Sequence, residues 1–169
     1  GGIDTIMYNA INLSKSTIGS LNRPSVSHVE FGSQVEYIPN DMCNGMTKLT
    51  KIVIPAKVKV IGNNAFRGCV GLEKVEIPSS VDSIDSGAFY GCQGLIQLTL
   101  NEGLISIGAD AFRGCQALVT VTLPNSLLNI GDRAFYECLS MTMAKFGTGL
   151  ESLGTYAFRS CSALNVDIT

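Results

Sequence analysis

Apolar residues recur along this chain with a period of 23, without insertion or deletion, from residue 26 to residue 163. The leading apolar position of each unit is occupied in turn by Val26, Leu49, Leu72, Leu95, Leu118, Met141 and Leu164. A fixed period of about 20–29 residues with the pattern L-x-x-L-x-L is typical of a leucine-rich solenoid. A single unit leaves both of its flat sides exposed, so such a chain depends on stacking neighbouring units.

Each unit is predicted to contain three short elements, which the unit 49–71 illustrates. Ile52-Val53-Ile54 alternates as a strand, and Pro55 ends it because proline lacks the N–H that a strand ladder needs. Residues 58–61 predict a second short strand, and the cap residues before Ala65-Phe66 predict one turn of helix. The predicted fold is therefore an α/β repeat solenoid, a right-handed superhelix with a parallel β-sheet, second short strands and one-turn helices.

The chain divides into three predicted segments. Residues 1–25 keep a strand pattern at Ile3, Ile6 and Tyr8 and then lose the period, which predicts a degenerate N-terminal capping repeat. Residues 26–163 contain six repeats of 23 residues. Residues 164–169 predict a truncated or shifted terminal strand, because their apolar residues alternate one position early. An unprotected last strand can pair with another chain, so we expect either that the full protein continues past Thr169 or that an edge-strand homodimer forms there.

Six cysteines raise the question of disulfides or a metal site. Cys69, Cys92, Cys115, Cys138 and Cys161 share one phase of the repeat, and Cys43 falls in the phenylalanine phase of its unit. Stacked copies should lie about 4.8 Å apart, whereas the Cβ atoms of a disulfide lie about 3.5–4.5 Å apart. Buried free thiols are therefore favoured over disulfides, and no C-x-x-C motif or histidine cluster supports a metal.

Composition and charge argue against several classes of function. The net charge is −2 with 15% charged residues, which argues against a nucleic-acid partner because such a partner needs a basic stripe. No apolar run reaches the roughly 18 residues of a membrane span. The single histidine, His28, has no carboxylate or nucleophile beside it in phase, so an enzyme is not expected.

Two columns of side chains should point away from the core, because alternate residues of a strand face opposite sides. They contain His28, Glu30, Lys51, Val53, Lys74, Glu76, Gln97, Thr99, Thr120, Thr122, Met143 and Lys145. The columns contain no carboxylate pair or triad. They form either a solvated face or a candidate recognition surface for a protein or glycan, since solenoids usually bind partners on an extended face.

A third column alternates arginine and tyrosine after each phenylalanine. Its members are Arg67, Tyr90, Arg113, Tyr136 and Arg159. Because repeats stack a few ångström apart, guanidinium groups and phenol rings could interleave, and each cation–π contact is worth about 0.5–1 kcal/mol at an exposed site. This column is either a stabilising ladder or a second binding strip.

Residues 49–69 read L-x-x-I-x-I-P-x-x-V-x-x-I-G-x-x-A-F-x-G-C, and this motif resembles the BspA-type leucine-rich repeat of bacterial and protist surface proteins. The resemblance covers residues 26–163. It implies a secreted or cell-surface protein, and some members are adhesins for host matrix proteins such as fibronectin and fibrinogen. The expected function is a non-catalytic interaction module without cofactor or metal. The alternative is a rigid spacer within a larger surface protein.

Overall fold

A computed structural model of the chain describes residues 5–8 and 24–164, and all strand pairing within this part is parallel. The strands are β1 (Thr5–Tyr8), β2 (His28–Phe31), β3 (Tyr37–Ile38), β4 (Val60–Ile61), β5 (Lys74–Ile77), β6 (Ser83–Ile84), β7 (Gln97–Leu100), β8 (Ser106–Ile107), β9 (Thr120–Thr122), β10 (Asn129–Ile130), β11 (Met143–Lys145) and β12 (Ser152–Leu153).

The short second strands of the units form one continuous sheet. β3, β4, β6, β8, β10 and β12 pair in that order as a six-stranded sheet. Each residue pairs with its copy in the adjacent coil, as Ile38 does with Ile61 and Ile61 does with Ile84. The predicted solenoid of parallel strands with a 23-residue period is therefore confirmed. We call this set of strands the second column.

The strands of the L-x-x-L-x-L segments, which we call the first column, are interrupted. They form three separate two-stranded sheets, β1–β2, β5–β7 and β9–β11. In the unit 49–71, an isolated bridge joins Lys51 to Lys74, and residues 52–54 have no strand pairing. The single parallel sheet that the sequence predicted is thus continuous in the second column and broken in the first.

A stack of phenylalanine rings runs through the core. Phe66, Phe89, Phe112, Phe135 and Phe158 lie with successive ring centroids 5.0–5.2 Å apart and interplanar angles of 2–13°. The first four of these rings are fully buried. In the irregular unit 26–48, Met42, Cys43 and Met46 fill the equivalent space and are equally buried. The core therefore continues through that unit.

The predicted one-turn helices, and with them the α/β class, are wrong for the described residues, which contain strands and turns. The N–H group of Arg67 donates to the oxygen of Asn64 in the same turn at 3.1 Å, but the N–H group of Phe66 donates to Ala88 in the next coil at 2.7 Å. A helix would need both donors within its own segment. In the stacked coils, every second N–H group of the turn donates to the next coil instead of to its own segment.

The backbone conformation at the two ends of each turn is a second reason why these turns are not helical. Two residues per turn, four positions apart, have positive φ. The first set is Asp41, Asn64, Gly87, Asp110, Arg133 and Tyr156, and the second set is Gly45, Gly68, Gly91, Gly114, Glu137 and Ser160, with φ between 53° and 77°. Left-handed residues occur singly and cannot belong to a right-handed helix.

All six cysteines are buried free thiols, as the sequence predicted. The thiols of Cys69, Cys92, Cys115, Cys138 and Cys161 each donate to a main-chain oxygen 26 residues earlier. The five aligned thiols thus add a sulfur-to-carbonyl contact to every inner coil boundary of the regular repeats.

The chain ends lie mostly outside the described residues. Of the predicted capping repeat 1–25, the structure describes β1, which pairs with β2, and residues 24–25. Of the predicted terminal strand 164–169, it describes Leu164. Within the described part, no helix is long and apolar enough to cross a membrane.

Candidate functional site

The outward-facing side of the first column is a polar, exposed surface, which we call the recognition face. It consists of the twelve predicted residues His28, Glu30, Lys51, Val53, Lys74, Glu76, Gln97, Thr99, Thr120, Thr122, Met143 and Lys145. Eleven are exposed and Thr99 is half-buried, because strand alternation turns their neighbours Ile52, Val75 and Leu98 into the core. Burial therefore agrees with the predicted orientation of the whole set.

A groove of about 590 Å³ crosses this face where the first column is interrupted. Six of the twelve predicted residues line it, namely Lys51, Val53, Lys74, Glu76, Gln97 and Thr99. The sequence analysis missed Thr50, Glu73 and Pro78, which also line the groove. Thr50 and Glu73 directly precede the outward residues Lys51 and Lys74, and Pro78 follows the end of β5, so strand alternation did not assign them to the face.

A second depression of about 350 Å³ continues the groove toward the N-terminal coils. His28, Glu30 and Phe31 line it together with Lys51 and Val53. Because residues 52–54 lack strand pairing on both sides, the face is indented on either side of this segment. The exposed fraction of Val53 is 67%, so an apolar side chain stands in the middle of the joined grooves.

The remaining predicted residues lie further along the face. Thr122 and Lys145 line a separate depression of about 280 Å³ beside Asn101 and Phe146. Thr120 and Met143 line none of these three depressions. The structure therefore distributes the predicted residues from His28 to Thr99 over two adjoining depressions that share Lys51 and Val53, and it separates the residues of β9 and β11 from them.

In the groove of about 590 Å³, which we call the main groove, the two lysines have no ion-pair partner among the described residues. Lys51 and Lys74 stand opposite each other in adjacent coils, and neither forms an ion pair among the described residues. Glu76 accepts a hydrogen bond from the side-chain amide of Asn101 at 3.4 Å. Like charges directly opposite across a strand pair are unfavourable.

The titratable groups of the described residues show no constellation for catalysis or metal binding. No group of three or more His, Cys, Asp or Glu side chains is placed to hold a metal ion in residues 5–8 and 24–164. Burial raises the pKa of Cys69 and Cys115 from the ordinary value of 9.0 to about 12. Neither of these two buried thiols is a thiolate at neutral pH, and the thiolate is the reactive form of cysteine.

The arginine–tyrosine column forms a ladder on the turn side of the coils. The guanidinium carbon of Arg67 lies 4.7 Å from the ring centroid of Tyr90, and that of Arg113 lies 5.5 Å from Tyr90 and 4.9 Å from Tyr136. Arg159 stacks instead on Tyr156, at 4.6 Å. The sequence analysis did not include Tyr156 in the column, because Tyr156 stands at the repeat position of Asn64 and Asp110.

Fold and sequence pattern together define a leucine-rich repeat solenoid. The family model for the BspA type leucine rich repeat region (6 copies) matches residues 18–108 and 84–168. The chain therefore belongs to the BspA-type leucine-rich repeat family. Among curated proteins, no sequence matches this chain.

Solved bacterial leucine-rich repeat proteins share the fold. A leucine-rich cell surface protein from Faecalibacterium prausnitzii is 33% identical over 83% of this chain, with a TM-score of 0.71. A T. pallidum leucine-rich repeat protein is 26% identical over 96% of this chain, with a TM-score of 0.66. A Bacteroides ovatus leucine-rich repeat protein is 26% identical over 83%, with a TM-score of 0.63. This chain spans 38%, 84% and 42% of those three chains, respectively.

Proposed function

We propose that this protein is a non-catalytic protein-interaction module displayed at a cell surface, and that the recognition face contacts its partner. The observation that carries the proposal is the groove where residues 52–54 lack strand pairing. It joins an exposed apolar side chain, Val53, to the unpaired cations Lys51 and Lys74. The surface location is supported by a structural relative that is described as a cell surface protein.

The groove favours an extended segment of a partner protein that carries a carboxylate. A carboxylate between Lys51 and Lys74 would form charge-assisted hydrogen bonds, which are roughly twice as strong as neutral ones. An apolar side chain next to the carboxylate would cover Val53. Host matrix proteins such as fibronectin and fibrinogen are the first partners to test, as the family resemblance suggests.

Biolayer interferometry against purified matrix and host-surface proteins tests this proposal. We expect the Lys51→Ala/Lys74→Ala variant to lose at least about tenfold in affinity for a partner, because it removes two charge-assisted contacts. The control is Lys48→Ala/Lys59→Ala, which removes the same charge from exposed positions outside the recognition face. Equal affinities of the two variants would exclude the groove as the binding site.

A rigid spacer within a larger surface protein is the second candidate function. The uninterrupted six-stranded second column and the continuous phenylalanine stack favour it, because both resist bending. A spacer has no ligand of its own. Failure of every protein in the panel to bind the unmodified chain would support the spacer over the interaction module.

The edge-strand homodimer also stays a proposal, at residues 164–169 as the sequence predicted. Sedimentation velocity tests it, because a dimer that dissociates on dilution is expected and a monomer at all concentrations would refute it.

A further inference from the structure

The turn side of the coils carries a depression of about 320 Å³, which we call the Gly87 notch. Its lining residues are Asn63, Asn64, Arg67, Ser86, Gly87, Tyr90, Ala109 and Asp110. It lies on a different side of the coil from the recognition face, and no residue lines both the notch and the main groove. Its volume is at the lower end of the range for small-molecule sites.

One of the three coils that line the notch has no side chain in the left-handed column. Asn64, Gly87 and Asp110 are equivalent residues in three successive turns, and all have positive φ. The amide oxygen of Asn64 lies where a Cβ atom of residue 87 would stand, so the Asn64 amide reaches over Gly87 and forms one wall of the notch. Ala109 and Asp110 line the notch in the following coil.

Arg67 supplies a cation with no partner of opposite charge. Its guanidinium stacks on Tyr90 and forms no ion pair among the described residues. Arg113, on the other side of the same ring, is paired with Asp110 at 3.3 Å. Stacking restrains the plane of the Arg67 guanidinium, so its fork of donors is oriented at little further entropic cost. That fork matches the two oxygens of a carboxylate.

Further polar groups surround this cation. Within the described part of the chain, the Asn64 amide and the Ser86 hydroxyl have no hydrogen-bond partner. Asp110, on the opposite wall, has its carboxylate anchored by Arg113 and Arg133, both at 3.3 Å. The notch thus offers a carboxylate-binding fork on one wall and both donors and acceptors for hydroxyl groups on the others.

We propose that the Gly87 notch binds an acidic sugar of the uronic-acid class. The sugar carboxylate pairs with the guanidinium of Arg67, and ring hydroxyls hydrogen-bond to Asn64, Ser86 and Asp110. A neutral sugar would leave the charge of Arg67 uncompensated. A carboxylate without a hydroxylated ring would leave the other walls of the notch without partners.

The first test is titration of the isotopically labelled protein with galacturonate and glucuronate, followed by two-dimensional NMR. Saturable shifts of the amides of residues 64, 67, 86 and 87 are expected with the uronates. Galactose, glucose and glutamate should bind at least about tenfold more weakly, because each lacks either the charged contact or the hydroxyl contacts. Equal binding of a neutral sugar or of glutamate, or no saturable shift with either uronate, would overturn the proposal.

Two variants place the binding in the notch. Asn tolerates positive φ, but the side chain of Gly87→Asn takes the place of the Asn64 amide oxygen and displaces that amide, so the variant should abolish the uronate shifts. Gly91→Asn is the matched control, because Gly91 has a similar φ of 71° in the same coil, has open space around it and does not line the notch. Arg67→Lys should weaken binding at least about tenfold through loss of the bidentate fork. Unchanged uronate affinity in Gly87→Asn or Arg67→Lys would contradict the assignment.

Discussion

The sulfur of Cys92 lies 3.1 Å from the main-chain oxygen of Phe66 in the preceding coil, and the thiol donates to that oxygen. The same oxygen also accepts the N–H group of Cys69 at 3.2 Å. A free thiol thus packs as a small apolar side chain and also acts as a weak donor at a coil boundary. This relationship explains why a thiol suits the position without a disulfide or a metal.

Removal of this thiol should be costly in the middle of the stack. Cys92→Ala leaves a small void in the core, where Cys92 is fully buried, and we expect it to lower the free energy of unfolding by about 1–2 kcal/mol. Cys161→Ala is the control, because Cys161 lies in the last described coil and is already 8% exposed. Urea denaturation should show the larger loss for Cys92→Ala, and equal losses would argue against a structural role specific to the inner thiols.

Stability should fall at alkaline pH because of the buried thiols. The pKa values of Cys69 and Cys115 are about 12 in the folded chain and 9.0 for an ordinary thiol, so the unfolded state loses these protons first. The stabilisation is complete below pH 9 and is lost as pH rises from 9 toward 12, by up to about 1.4 kcal/mol per unit for each thiol.

The double variant Cys69→Ala/Cys115→Ala isolates this effect from the titration of lysines and tyrosines. Its free energy of unfolding should fall less steeply than that of the unmodified chain between pH 9 and pH 11, as measured by urea denaturation at each pH. Parallel pH profiles of the two proteins would show that the thiols are not buried as described.

Substitutions at the left-handed position that ends each turn should change stability in opposite directions, depending on whether glycine is removed or introduced. Gly91 has open space around it, so Gly91→Ala should be destabilising by about 1 kcal/mol through backbone strain alone. Ser160 has a φ of 63° at the same phase, and Ser160→Gly should be stabilising by about 0.5–1 kcal/mol. Thermal denaturation of both variants checks this, and a loss of stability in Ser160→Gly would contradict the assigned backbone conformation.

The arginine–tyrosine ladder predicts unequal effects at its two tyrosines. Tyr90 has a guanidinium over it from each neighbouring coil, whereas Tyr136 has one such contact. Tyr90→Ala should therefore lower the melting temperature more than Tyr136→Ala, with losses of about 1–2 and 0.5–1 kcal/mol from the cation–π contacts. Tyr90→Phe keeps the ring and should retain most of the stability. An unchanged melting temperature in both alanine variants would mean that the ladder is not structural.

The sequence predicted the main features that follow from in-register stacking, although the first column of strands is interrupted at residues 52–54. Strand pairing, the burial of the aligned cysteines and the outward orientation of Lys51 and Lys74 all depend on one residue meeting its copy 23 positions away. Local sequence was less informative for the turns. Asn64-Ala65-Phe66 contains good cap and helix residues, which favour a helical turn. The N–H group of Phe66 donates instead to the next coil, and local sequence does not indicate this contact between coils.

The groove could not have been predicted from residue pattern. Ile52-Val53-Ile54 has a stronger β propensity than the Gln97–Leu100 strand, yet it is residues 52–54 that lack pairing. The Gly87 notch was missed for a related reason. It depends on how the polar side chains of successive turns lie around Gly87, and the apolar pattern carries no information about them.

Site-specific photo-crosslinking tests the central claim that a protein partner binds across the groove. The photoreactive residue p-benzoylphenylalanine would replace Val53 in one protein and Ile105 in the control, because Ile105 is also an exposed apolar residue but lies next to β8 of the second column. With a purified partner from the interferometry panel, crosslinks at position 53 and none at position 105 are the predicted result. Crosslinks at position 105 with none at position 53 would contradict the account.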